Sequence, residues 1–220
     1  MKSVVVKHFW KWFKLNSQAF LSLPKASPNR LQYWENEFKI HMAPYFGPNL
    51  GLDLLFTTDP KNAIAIITAY GYEEFFDQAE KIAEEAPYMK GWTFYTLYPP
   101  MGVGFMNPGC GEVRDFDPDE LQFCPFDTIR DEGKCTLMVY ADNEASIWKR
   151  HIAAVWDVVY NLLGERVTAL NIEDIFLCPI ETAPEEIQIA LLPITDLPHW
   201  FIDENISGFI VDQNGVITRR

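Results

Sequence analysis

The side chains able to carry chemistry in this chain are four histidines, four cysteines, a run of acids and one glycine-rich loop. His8, His41, His151 and His199 are scattered, with neither an HExxH nor an HxH arrangement. His151 lies among Ile147, Ala154 and Val158, where a hydrogen-bonded packing role suits it better than catalysis. Cys110, Cys124, Cys135 and Cys178 form no CxxC pair, so neither a zinc knuckle nor a thioredoxin-type centre is indicated and reduced thiols are expected. Cys110 sits in a loop without a basic neighbour to activate it.

Asp115, Asp117 and Asp119 alternate beside Glu112 and Glu120, like the opening of a calcium loop. Such a loop needs Gly at its sixth position and a bidentate Glu at its twelfth; Glu120 and Phe126 stand there, and Pro118 restricts the backbone between the ligands. A solvated acidic turn is the expected reading. In the 99–111 segment, Gly102 and Gly104 precede Pro108, and no Gly-Lys-Ser/Thr follows. A phosphate cradle opens into a helix N-terminus, so this segment reads as a connector, with a lid or binding loop as the alternative. Ser207-Gly208 lacks the GxSxG elbow. With 31 acids some carboxylate pair will meet anywhere, which singles out none of them. The sequence therefore nominates no catalytic residue, no cofactor-binding residue, no cofactor and no metal ligand.

The elements that would position these residues come from a chain of 220 residues, 48% hydrophobic and 15% aromatic, with a formal charge of −13. That composition suits a folded domain with a sizeable core and argues against nucleic acid, whose phosphates require a basic face. The charge is uneven. Residues 1–45 contain seven Lys or Arg and two Glu, a net +5, which leaves −18 on the remaining 175 residues. Lys7 interrupts Val4–Val6 before a secretory apolar run can form. No stretch reaches the length of a membrane span, and a cytoplasmic location is expected.

The periodicity predicts a helix over about 4–22, with Lys7, Lys11, Lys14 and Gln18 on one stripe and Val6, Phe9, Phe13 and Phe20 on the other side. With Trp10 and Trp12, this stripe could be an interfacial membrane helix, but the ordinary reading packs the aromatics on a sheet. A second helix is expected over 29–43, capped by Asn29 and ended by Pro44, Gly47 and Pro48. Strands at 52–58 and 63–70 flank an Asp59-Pro60-Lys61-Asn62 turn, a helix occupies 72–86, and a strand runs from Trp92 to Tyr98. This ββαβ order recurs as strands at 121–128 and 136–141 around a polar 130–133 turn, a helix at 144–163 and a strand at 167–177. Beyond it, Asp196-Leu197-Pro198 could cap a short helix, and a hairpin turn at 212–215 joins Ile210 to Ile217.

The expected architecture is thus one compact α+β domain. An N-terminal helical arm (1–48) precedes a first ββαβ repeat (49–100), a connecting loop (101–118), a second repeat (119–180) and a C-terminal extension (181–220). The two repeats are expected to form an antiparallel sheet with helices on one face. Residues Gly71, Phe75-Phe76, Ala86-Pro87, Gly91-Trp92 and Pro99-Pro100, then Tyr140, Leu163-Gly164-Glu165 and Ile175, resemble a group of bacterial proteins classed as a domain of unknown function. The resemblance covers about 52–178 and implies a ferredoxin-like α+β fold. Its residues are turn glycines, a helix-end proline and core aromatics, so it transfers no catalytic residue. One ferredoxin-like relative inhibits a ribonuclease by direct contact, an analogy at the level of fold. The functional expectation is a non-catalytic cytoplasmic binding or regulatory domain acting through a protein partner or self-association. The alternative is an enzyme or small-ligand binder with a pocket at the junction of the two repeats, near the 99–111 loop.

Overall fold

The computed structural model describes residues 3–102, 118–124, 129–131, 134–142, 148–202, 209–211 and 217–219. It is an α+β protein that divides into two compact units, Met1–Tyr98 and Pro99–Arg220, where a single domain is expected from the sequence. In the first unit ten Lys and Arg balance ten Asp and Glu. The whole −13 therefore falls on the second, with eight basic residues against 21 acidic ones. The +5 of the N-terminal residues is neutralised within their own unit.

The first unit begins with α1 (Ser3–Phe20) and α2 (Pro28–Phe46), followed by strands β1 (Gly51–Phe56) and β2 (Ala63–Thr68). Pro28 takes the first position of α2, where its missing N–H costs nothing. Ser27, rather than Asn29, is the cap residue. The helix also runs through Pro44 to Phe46 instead of ending there, because a proline near the last turn removes only one hydrogen bond. At the Asp59–Asn62 turn, the Asp59 carboxylate accepts from the Lys61 backbone N–H at 3.0 Å and from the Asn62 amide at 2.8 Å. After it come α3 (Phe76–Glu84), entered through a 3₁₀ turn, and β3 (Trp92–Thr96).

The sheet order is β1-β2-β3, antiparallel then parallel. The apolar β2, buried at five of its six residues, is the central strand. The parallel pair corrects the expected antiparallel sheet. A strand–helix–strand crossover brings the chain back to the same sheet end, so β2 and β3 must run in one direction.

Helix α1 belongs to this unit's core. Phe9, Trp10, Phe13 and Phe20 are buried; Phe13 meets Trp92 edge-on at 5.0 Å, and Trp10 meets Phe94 at 5.2 Å. The Trp10 indole N–H donates to the Ile82 carbonyl of α3 at 2.7 Å, which places α1 and α3 on the same sheet face. The face that an interfacial membrane helix would insert is therefore occupied, as the ordinary reading of its aromatics has it. Lys7, Lys11, Lys14 and Gln18 do face solvent. No helix among the described residues is long and apolar enough to cross a membrane.

The second unit contains β4 (Gln122–Phe123), β5 (Ile129–Asp131), β6 (Lys134–Ala141), α4 (Trp148–Leu163), α5 (Glu165–Asn171) and β7 (Ile172–Pro179). It continues with α6 (Glu185–Ile189), β8 (Leu192–Pro193), α7 (Leu197–Ile202) and the antiparallel pair β9 (Phe209–Val211) and β10 (Ile217–Arg219). Both β4 and β5 pair antiparallel with β6, and β7 pairs parallel with it. Within the expected 121–128 strand, β4 holds Gln122–Phe123 and 125–128 lie outside the described residues, while Arg130 and Asp131 lie in β5 rather than in a turn.

The expected strand at 167–177 is half helix. Gly164, at φ 79°, separates α4 from α5, and the strand starts only at Ile172. Leu137, Val139, Val155, Val159, Ile175, Leu197 and Phe201 belong to one buried core. Its helical members recur at the predicted spacing. The paired β9 and β10 flank the expected 212–215 hairpin turn, whose residues lie outside the described ones.

Candidate functional site

The residues singled out for chemistry do not converge. Cys110, Glu112, Asp115 and Asp117 lie outside the described residues, as does the glycine-rich loop from 103 onward. Asp119 and Glu120 belong to a 3₁₀ turn, Pro118–Glu120. Among the described residues no group of three or more His, Cys, Asp or Glu could hold a metal ion. His8 and His199 are exposed, each on a different helix. His41 stacks on Trp12 at 4.2 Å and lies 3.8 Å from the Glu37 carboxylate one turn earlier. The side chain of His151 lies outside the described ones. Cys124, Cys135 and Cys178 form no disulfide among the described residues, and the first two are buried in apolar surroundings, where a thiol is inert.

Two concavities are formed in the first unit instead. The first is an apolar groove of about 540 Å³ between α2 and β1, lined by Phe38, Met42 and Phe46 on the helix side and by Leu50, Leu52 and Leu54 on the strand side. The alternation read in the sequence explains the strand wall. Leu52 and Leu54 share one face of β1, while Asp53 points to the other and accepts a hydrogen bond from the Tyr98 hydroxyl. The charged Glu35 and Lys39, four residues apart on α2, are exposed beside the apolar lining. Among the described residues β1 pairs only with β2, so its other edge keeps unpaired backbone donors and acceptors.

The second concavity, about 560 Å³, has three lysines in its lining beside Leu21 and Pro60. Gln18 and Ser22 contribute to it from the end of α1 and the turn after it, and Lys25, Lys61 and Lys90 reach it from three separate loops. Among the described residues no carboxylate and no aromatic ring lines it.

In the second unit, the buried side chains of α5 are Glu165, Thr168 and Asn171. A helix whose buried set is wholly polar is unusual, because each group must be hydrogen-bonded to offset its lost hydration. Asn171 donates to the Val167 carbonyl at 2.8 Å, whereas the Thr168 hydroxyl is buried with no hydrogen-bond partner among the described residues. Sequence reasoning missed this set by reading 167–177 as a strand. The signal that could have found it is Glu165, Thr168 and Asn171 at steps of three, directly after a glycine.

Strained backbone gathers in one region of the first unit. Tyr70 and Leu97 take positive φ, at 51° and 60°, and Gly71 takes 80°, all just past the carboxyl ends of the parallel strands β2 and β3. Tyr70 lies over Gly51, where an added Cβ would come 2.0 Å from the Tyr70 hydroxyl oxygen. No protein-family model matches the chain, and neither a curated protein nor a solved structure matches it.

Proposed function

We propose that this protein is a non-catalytic cytoplasmic binding domain that regulates a protein partner. Its groove between α2 and β1 takes an extended partner segment. The observation that carries this reading is the coincidence of an apolar groove with a strand edge unpaired among the described residues. A segment lying beside β1 gains main-chain hydrogen bonds from that edge, and every second side chain falls into the groove. Met42 gives the groove an adaptable wall, and Phe38 and Phe46 give it rigid apolar area. Glu35 and Lys39 supply both signs of charge at its side, which fixes register more than affinity.

The ferredoxin-like relationship belongs to the same proposal. It is supported by the pairing pattern common to β1-β2-β3 and β5-β6-β7, antiparallel and then parallel across a helical connection.

Selection from a displayed library of random peptides tests the binding mode. Enriched peptides should carry apolar residues at alternate positions, slow amide exchange within β1 and lose binding to Leu54→Lys. Failure to enrich any peptide, enrichment of a helical three-and-four spacing, or binding indifferent to Leu54→Lys would each remove the strand-addition reading.

A further inference from the structure

The lysine-lined concavity is a separate feature from the groove. The geometry points to a binding site for a small polyanion, a molecule carrying two or more phosphate or carboxylate groups, held by Lys25, Lys61 and Lys90. Each lysine is set by local backbone. Lys25 closes the 3₁₀ turn Leu23–Lys25. Lys61 stands in the turn organised by the Asp59 carboxylate, which accepts from the Lys61 backbone N–H and from the Asn62 amide. Lys90 precedes Gly91, whose positive φ lets the 91 backbone approach so closely that an added Cβ would sit 2.4 Å from the Lys61 carbonyl oxygen. The Ala63 N–H closes the same junction by donating to the Gly91 carbonyl at 2.9 Å.

Lys25, Lys61 and Lys90, all exposed, line one depression, and like charges brought to one place repel one another. Lysines on a neutral unit would ordinarily turn toward acids. Among the described residues none of these three is paired with a carboxylate, although their unit holds as many acids as bases. A polyanion relieves the repulsion and satisfies all three at once. The volume is large enough for a small molecule. The stripe of Lys7, Lys11, Lys14 and Gln18 runs along α1 to this depression, because Gln18 is itself part of its wall. Those charges steer an anion toward the site.

Lysine presents a point charge and lacks the planar fork of arginine, so the site ranks ligands by charge more than by shape. Affinity is then expected to rise from orthophosphate to pyrophosphate to tripolyphosphate, with citrate close to pyrophosphate. Among the described residues no ring lines the concavity, so a nucleobase adds nothing, and ADP should bind no more tightly than pyrophosphate.

Isothermal titration of the full chain at about 0.1 M salt, where exposed charges beyond about 10 Å are largely screened, tests the assignment. Tripolyphosphate should saturate at one site per chain. Lys25→Gln/Lys61→Gln should weaken it by about tenfold or more, since it removes two of the three charges that hold the anion. Lys25→Arg/Lys61→Arg should retain binding. The control Lys7→Gln/Lys11→Gln, which removes the same net charge at positions about 10 Å or more along α1 from Gln18, should change affinity by less than about threefold at that salt concentration. Equal losses in the two double Gln variants would overturn the site in favour of a diffuse basic face. No saturable binding of any small polyanion, or binding of polyglutamate alone, would also overturn it.

Discussion

Gly91 and Gly71 both take positive φ, at 83° and 80°, but their surroundings separate what an added methyl would cost. A Cβ at Gly71 meets nothing within 4 Å, so Gly71→Ala should cost only the conformational penalty, about 1 kcal/mol. At Gly91 the same penalty is joined by a backbone oxygen that cannot swing aside. Gly91→Ala should then cost about 2 kcal/mol or more, an overpacking charge added to the φ penalty. Urea denaturation of the two variants checks the order, and equal shifts would mean that the 61–91 approach is not held in solution. Thr168 makes the opposite case. Its buried hydroxyl has no hydrogen-bond partner among the described residues, so Thr168→Val removes a desolvated group without breaking a bond. It should stabilise the protein by about 1 kcal/mol, read from the denaturation midpoint. A loss of similar size would show that the hydroxyl is bonded. Gly91 was legible as a punctuating glycine, but the reason for it was not, because the Lys61 carbonyl it admits comes from another loop. Thr168 was illegible for a related reason: β-branched residues and a nearby valine suit a strand, and only tertiary packing makes 165–171 helical.

Individual elements explain which sequence signals carried. The stripe of α1 was legible because its aromatics recur at helical spacing, and β2 because its apolar residues leave no polar face. What periodicity could not supply was the partner of each face. The basic residues made α1 look like a detachable arm, yet it covers Trp92 and Phe94 and bonds to α3 through Trp10. Trp10→Phe retains a buried ring but leaves the Ile82 carbonyl unpaired, and it should destabilise the first unit by about 2 kcal/mol. Trp10→Ala adds a cavity and should cost about 3–5 kcal/mol. Thermal unfolding followed by tryptophan fluorescence, with six other tryptophans in the chain as reporters, reads both. An arm that merely rested on the body would tolerate either change with little shift in Tm. The groove was half legible for the same reason. The Leu52/Leu54 alternation was visible in β1, whereas the helix that forms the opposite wall runs past the proline expected to end it.

At the scale of the whole chain, the charge arithmetic acquires a different meaning once the two units are separated. Dividing the sequence at residue 45 makes a +5 arm and a −18 remainder, which suggests an arm attracted to an acidic body. Dividing it where the fold divides gives a neutral unit, with ten charges of each sign, and a unit that carries all of the −13. The electrostatic cost of folding therefore falls on the second unit, where 21 acids against eight bases repel one another in the compact state. Salt screens that repulsion, and the Debye length contracts from about 20 Å near 0.02 M to about 4 Å near 0.5 M. Raising salt over that range should slow amide exchange in β6 and β7 of the second unit and leave β2 and β3 of the first nearly unchanged. Hydrogen-exchange mass spectrometry on the intact chain, with sodium chloride as the salt, compares both sheets in one sample. A uniform response would mean that the two units open together, and a larger response in the first unit would contradict the charge partition. Replacing chloride with tripolyphosphate at equal ionic strength adds a local test: slowed exchange around 25, 61 and 90, beyond the screening effect, belongs to the three-lysine site alone.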